Sequence, residues 1–264
     1  MIDPAPWLFW RPRLSLLWMA ALLIWETREP CFAFFKDSTE RGLHGLRNFA
    51  LALLNVLAVS LGFVSAWAGI AAWSESHRIG LLHWIPLWDW LHALLALLAL
   101  DLWTYGWHRI CHRVPMLWRF HRVHHSDPTM DVTTANRFHF GEIALSSILR
   151  LPVIACVGVR FGELVVYETL LQAVVQFQHA NIALPVALEH SLRRWLVTPG
   201  LHKVHHSREQ PETDSNYASL LPLWDRLFGS LRHREDLAAI QMGLKGQDAP
   251  AQQTLNALLR EPLQ

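Results

Sequence analysis

At 264 residues the chain has room for one large domain or two small ones, and no linker-like stretch divides it, so a single domain over residues 1–264 is expected. Apolar residues make up 52% and charged residues only 17%, against about a quarter charged in soluble proteins, and fourteen tryptophans point the same way, toward a membrane. The net charge of +1 includes no long basic run that would track phosphates, which excludes a nucleic-acid partner, and three scattered cysteines without a Cys-x-x-Cys pair exclude a disulfide scaffold or a zinc ribbon.

The first apolar run, residues 14–25, follows Arg11 and Arg13. Glu26 and Arg28 stand where the small residues of a signal-peptide cleavage site belong, so no cleavage is expected. Twelve helical residues reach about 18 Å against a hydrocarbon core of about 30 Å, which leaves this segment open between crossing and lying in the interface. Residues 48–73 carry no charged side chain and are long enough to cross with some tilt. Residues 84–107 return, apolar apart from Asp89, His92 and Asp101, with Trp84, Trp88 and Trp90 at one end and Trp103 and Trp107 at the other, as two interfacial aromatic belts require. Residues 48–107 are therefore expected as a transmembrane hairpin. Arg28, Lys36, Arg41 and Arg47 precede it and Arg109, Arg113, Arg119 and Arg122 follow it, which puts both of its ends on the cytoplasmic side. Residues 143–178 are apolar but broken by Arg150, Pro152, Arg160, Gly162 and Glu163, and read as a membrane-embedded helical hairpin. Residues 108–142 and 179–264 would form a cytosolic catalytic cap, with a short amphipathic helix over 251–260. The expected fold is thus all-α: an integral membrane helical bundle with a cytosolic histidine-rich helical cap.

The chemistry lies in the histidines. Half of the sixteen fall in three clusters: His108 and His112; His121, His124 and His125; and His202, His205 and His206. Positions i, i+3 and i+4 of a helix share a face, so each cluster is expected to aim its rings at one point. Imidazole suits iron, zinc, copper and nickel, and eight ligands exceed what one ion uses, so the pattern points to a binuclear site. Two polar stripes on apolar helices, Asp101–Tyr105–His108–His112 and Glu168–Gln172–Gln176–His179, suggest that two membrane helices deliver ligands to that site. Polar packing between helices is the alternative for Glu168 and Gln172. His139 and Glu142 either bind metal or support a ligand, or are simply a helix-start pair. Asp101, Asp127, Asp214 and Asp225 can each orient a ligand ring by accepting its second N–H, or cap a helix. His44, His77, His83, His92, His190 and His233 lack partners at ligand spacing and read as ordinary loop or interfacial residues. The four arginines of 109–122 suit carboxylates or lipid headgroups. No His-Glu-x-x-His, Gly-x-Ser-x-Gly, phosphate-loop or dinucleotide motif is present, and the Glu-x-x-His pattern of carboxylate-bridged di-iron bundles is not prominent.

Residues 101–126 (Asp101, Tyr105, His108, Arg109, His112, Leu117, Trp118 and the first triplet), 134–142 (Thr-Ala-Asn-Arg-Phe-His-Phe-Gly-Glu), 178–181, 198–207 and 214–230 (Asp-Ser-Asn-Tyr, then Trp-Asp-Arg-Leu-Phe-Gly-Ser) carry a resemblance strongest over 101–230. Together they resemble the fatty acid hydroxylase superfamily, or sterol desaturase family, of integral-membrane di-iron oxygenases. The resemblance implies two iron ions, for which zinc can substitute in a purified protein, held by His108, His112, His121, His124, His125, His179, His202, His205 and His206. His139 is a weaker candidate, and no catalytic residue is implied beyond the ligands. Asp101, Tyr105, Asp127, Asn181, Asp214 and Asp225 would support the ligands. It further implies O2-dependent hydroxylation or desaturation of an unactivated lipid C–H bond. No haem or flavin domain is recognisable, so a separate electron donor of cytochrome or ferredoxin type is implied. The chain departs from the family pattern at Phe140, where proline often follows the histidine, and at Ala218, where glycine often follows the tyrosine. A metal transporter, or a metal-stabilised scaffold without turnover, is the alternative. Transporters place ligands near the bilayer midplane, whereas these clusters lie beyond the segment ends.

Overall fold

The computed structural model describes residues 4–264, and the described residues form helices, with two isolated bridges and no β-sheet. Helix α1 (Pro4–Arg28) has 25 residues, twice the apolar run expected at 14–25, because the polar residues flanking that run are helical too. Helix α2 (Ser38–Gly62) starts where Asp37 Oδ1 accepts the N–H groups of Thr39 and Glu40 at 2.9 and 2.8 Å, ten residues before the expected start. The single helix expected over 48–73 is two. Glycine, the weakest helix former after proline, ends α2, and Phe63 (φ −123°) separates it from α3 (Val64–Ser76). Phe63 N–H still reaches Val59 O at 2.8 Å, so the break is a bend rather than a loop.

Helix α4 (Asp89–Arg113) and α5 (Pro115–His125) meet at Val114, and Pro115 in the first turn of α5 costs no hydrogen bond there. Helices α6 (Phe140–Val157) and α7 (Phe161–His179) form a hairpin whose turn uses Gly158 at φ +84°, a conformation favourable only without a Cβ. Gly80 (φ +110°) crosses that turn so closely that a Cβ on it would sit 2.4 Å from Gly158 Cα. The remainder comprises α8 (Val186–Leu192), α9 (Pro199–His205), α10 (Gln210–Thr213), α11 (Leu223–Leu227) and α12 (Leu255–Arg260). The last begins later than the expected 251, where the Thr254 hydroxyl caps Ala257 N–H at 3.3 Å.

Two helical stretches are long and apolar enough to cross a bilayer, Ser38–Val59 and Phe140–Val157, and only 17% and 22% of them is buried within the protein. A core helix of a soluble protein would hide that surface, so membrane association follows. Helix α4 does not reach the same apolarity. It is a central helix that buries Ala96, Leu100, Asp101, Tyr105, His108 and Cys111. One core cluster joins Trp67, Ala71, Leu100, Ile154, Leu164 and Tyr167 of α3, α4, α6 and α7, and a second joins Tyr105 to Leu201, Tyr217 and Trp224.

The stripe Glu168–Gln172–Gln176 faces α1 rather than the histidines. Glu168 pairs with Arg150 and lies 3.8 Å from Arg11, and Gln176 Nε2 donates to Ser15 Oγ at 2.9 Å. Of that stripe only His179, at the end of α7, turns into the site.

Candidate metal centre

Four helices bring nine histidines together in two buried groups. His108 and His112 of α4, His121 and His125 of α5 and His205 of α9 form one, with ligand atoms all within 4.8 Å of one another. His124 of α5, His179 of α7, and His202 and His206 at the end of α9 form the other, within the same limit. Each triplet was expected to aim at one point, and each instead divides between the two groups. The helical repeat explains it: at 3.6 residues per turn, i and i+4 are only about 40° apart around the axis, while i+3 lies about 60° to the other side of i. Thus His121 and His125 go together and His124 departs, and His202 and His206 go together and His205 departs. The groups abut, with the rings of His125 and His206 stacked at 4.4 Å and 15°.

Backbone carbonyls fix the tautomers. A carbonyl only accepts, so His108 Nδ1–H donates to Tyr217 O (2.7 Å), His205 Nδ1–H to Ser215 O (2.6 Å) and His179 Nδ1–H to Val175 O (2.7 Å). His121 Nδ1 does the same toward Glu142 Oε1 at 2.9 Å. Each such ring is left with a lone pair on Nε2. The Nε2 atoms of His108 and His205 lie 3.0 Å apart, and that of His179 lies 3.1 Å from those of both His124 and His202. The lone pairs of His108 and His205 thus face each other without a proton between them and repel, and a shared cation removes the repulsion. Nitrogens bound to one ion at zinc-like distances are about 2.9–3.4 Å apart, so the residues fit a metal. Both ring nitrogens of His112 and His206, and Nδ1 of His124 and His202, are buried without a hydrogen-bond partner, as expected of ligands. Burial, reinforced by neighbouring histidines, holds His108, His112, His124, His125, His202, His205 and His206 well below the ordinary histidine range. Burial brings His179 down to about 4. Neutral imidazole is the form that binds metal.

The other expected site residues are placed differently. His139 is in neither group: its Nδ1 accepts Gly141 N–H at 3.0 Å and its Nε2 donates to Leu259 O at 3.2 Å, so it caps α6 and holds the C-terminal segment. Asp101 touches no ligand ring; it accepts from Trp224 Nε1 (2.7 Å) and Leu221 N–H (3.2 Å), fastening α11 to α4. Tyr105 hydroxyl meets Ser230 Oγ at 2.8 Å. Asp225 acts at one remove, accepting Tyr217 N–H (2.8 Å) and Ala218 N–H (2.9 Å) in the loop whose carbonyl orients His108. Asp214 Oδ1 lies 3.5 Å from His112 Nδ1. Asn181 brackets the backbone of Phe32 at 3.0 and 2.8 Å instead of a ligand. Asp127 takes His44 Nε2 at 2.9 Å, so His44 is a buried partner of the segment after the first triplet and not a loop residue. His92 is buried too, 2.7 Å from Glu163. Three buried charges complete the surroundings: Glu26, which lies outside every motif, and Arg137 and Lys203, which lie inside matched stretches but have no expected role there.

Fold and site define a class: a helical, membrane-associated chain with two adjoining, buried, all-histidine groups suited to metal. The family described as fatty acid hydroxylase matches residues 93–230, just over half of the sequence, and the chain belongs to that family. Alkylglycerol monooxygenase of Xenopus tropicalis is 32% identical over 158 residues, covering 59% of this chain and 33% of that protein. Ornithine lipid hydroxylase OlsE of Rhizobium tropici is 26% identical over 196 residues, 73% of this chain and 57% of that one. Cholesterol 25-hydroxylase of Mus musculus is 26% identical over 146 residues, 53% and 47%. The chain thus spans between a third and just over half of the length of these curated relatives. No solved structure matches it.

Proposed function

We propose that this chain is a single-domain integral-membrane di-iron oxygenase that hydroxylates, or desaturates, an unactivated C–H bond of a lipid, using O2 and electrons from a separate cytochrome- or ferredoxin-type donor. The observation that carries the reading is the pair of adjoining histidine groups, five and four strong, whose ring nitrogens converge inside a buried site. Two irons held there would supply oxygen activation and the oxidising power for C–H cleavage. The chain's own residues supply placement. Tyr217, Ser215, Val175 and Glu142 fix the rings, burial excludes water, and α4 and α7 lead from apolar surroundings to the histidines they carry. The names of the relatives, an ether-lipid monooxygenase, an ornithine lipid hydroxylase and a sterol hydroxylase, support lipid as the substrate class. The basic residues on either side of 48–107 support a cytoplasmic placement of the histidines.

Metal analysis of the purified chain tests the centre: about two ions per chain are expected, and His124→Ala and His205→Ala, one from each group, should each lose metal and activity. Lipid extracts of cells with and without the gene, compared by mass spectrometry, test the reaction. A gain of one oxygen marks hydroxylation and a loss of two hydrogens marks desaturation. Unchanged lipids together with histidine-dependent metal uptake into vesicles would replace the enzyme reading with transport.

A further inference from the structure

The two histidine groups do not have equal electrostatic surroundings. Imidazole brings no negative charge as a ligand, so every compensating charge must come from around the rings. The five-histidine group has two carboxylates at its edge. Glu142 Oε1 takes His121 Nδ1–H at 2.9 Å, and Asp214 Oδ1 lies 3.5 Å from His112 Nδ1. Glu142 is itself buried and its Oε2 has no partner, so its charge is directed at the ring and little else. The four-histidine group has no carboxylate bonded to any of its rings among the described residues. His179 leans on the carbonyl of Val175, and Nδ1 of His124 and of His202 is unpartnered. Asp127 is an acid whose charge reaches His179 and His206 on that side. Its oxygens are taken up by His44 at 2.9 Å and Thr134 Oγ1 at 2.6 Å, and the Arg137 guanidinium faces it. The cation on that side is Lys203, 1% exposed, adjacent in sequence to His202, with Nζ donating to Ala180 O at 2.9 Å and Ile182 O at 3.0 Å.

We infer that the two positions hold metal unequally: the five-histidine group, backed by Glu142 and Asp214, is the tight one, and the four-histidine group, beside the buried Lys203 ammonium, is the labile one. This rests on the di-metal reading above and adds the residues that set the difference. A carboxylate behind a ligand histidine raises the basicity of the ring, and its loss typically lowers metal affinity roughly 10–100-fold. A buried cation close to a second cation acts in the opposite sense. Glu142 and Lys203 are positioning residues here: Glu142 acts through the His121 ring it holds, and Lys203 through its charge, which bears on His179. A consequence is a chain that passes through a one-metal state on losing metal.

The test is stepwise removal. The metal-loaded 264-residue chain in detergent is equilibrated with graded chelator, and bound ions per chain are counted by mass spectrometry. Two separated steps are expected. Glu142→Gln should weaken only the ion lost last, roughly 10–100-fold, closing the gap, and Glu142→Asp, which keeps the charge, should restore most of it. Lys203→Met should shift only the ion lost first, toward tighter retention. Loss of both ions in one step, or a Glu142→Gln effect equal on both steps, overturns the inequality while leaving the di-metal centre in place. If Lys203→Met fails to fold, the Glu142 pair still decides. A wild-type chain that binds fewer than two ions overturns the di-metal reading itself.

Discussion

Replacing Arg137 with methionine should cost more stability than any single substitution at the surface. Arg137 is 1% exposed and ties two distant parts of the chain, at Asn48 and Gln253, to the end of α5. Its Nε donates to Val123 O at 3.0 Å, Nη1 to Asn48 Oδ1 of α2 at 3.3 Å, and Nη2 to Ser126 Oγ at 3.0 Å and Gln253 Oε1 at 2.5 Å. Methionine approximates the volume but donates nothing. Val123 O keeps a second donor in Ser126 Oγ at 2.8 Å, whereas Asn48 Oδ1 and Gln253 Oε1 would be left buried and unpaired. Two such orphans cost about 1–3 kcal/mol each, and Asp127 also loses a facing cation, so about 3–5 kcal/mol is expected. At about 2–4 °C per kcal/mol for a chain of this size, the melting temperature in detergent should fall by roughly 6–20 °C. Val123 and Ser126 flank His124 and His125, so bound metal should fall in the same preparation. A variant that melts within about 2 °C of the wild type with full metal content would refute the reasoning, because fluctuations of that size need less than about 1 kcal/mol.

Two further outcomes follow from the same surroundings. Histidine in an unfolded chain takes a proton near pH 6.5, whereas His179 in the fold does so at about 4, so between those values the unfolded chain binds more protons and stability rises with pH. The metal-stripped chain should therefore be most stable above pH 6.5 and weaken as pH falls toward 4, with about 3 kcal/mol from His179 alone; a flat denaturation midpoint between pH 7.5 and 5.5 would count against neutral buried rings. Deleting everything after residue 250 removes Gln253 from Arg137, the Leu259 carbonyl from His139, and Glu261 from Arg122. That chain should still insert in membranes but lose metal, which fractionation followed by metal counting would show, and full metal content would dismiss the C-terminal segment as a support of α5.

The ligand candidates were legible because their signal is local. Histidines at i, i+3 and i+4 announce themselves within one turn, and the helices that carry them follow from the same periodicity. Their division into two groups was also present in the angles of the helical repeat, yet spacing alone does not say where a second set of ligands will stand. Glu142 and Asp214, both expected as supports, do stand beside His121 and His112, whereas the long-range contacts around the histidines left no such trace. His44 meets Asp127 from 83 residues away, and Arg137 meets Gln253 from 116. Neither separation has a period that a sequence pattern could expose.

Glu26 follows the first apolar run, where a charge ordinarily marks the water boundary, but α1 runs on through it. Glu26 Oε2 accepts the N–H groups of Asn181 (2.8 Å) and Val132 (3.1 Å), and Oε1 meets Arg41 at 2.6 Å, so the carboxylate is buried with its lone pairs occupied. Arg137 and Lys203 are satisfied in the same manner, and all three hold a histidine-bearing segment. Glu26 fixes Asn181, two residues past His179; Arg137 fixes Val123 and Ser126 around His124 and His125; Lys203 binds Ala180 and Ile182 to α9, which carries His202 and His205. Rings whose lone pairs face one another, as those of His108 and His205 do, gain little from being packed together, since the lone pairs repel. The segments must therefore be held from outside, by hydrogen bonds to charged groups, which are about twice as strong as those between neutral ones and leave a larger penalty when broken.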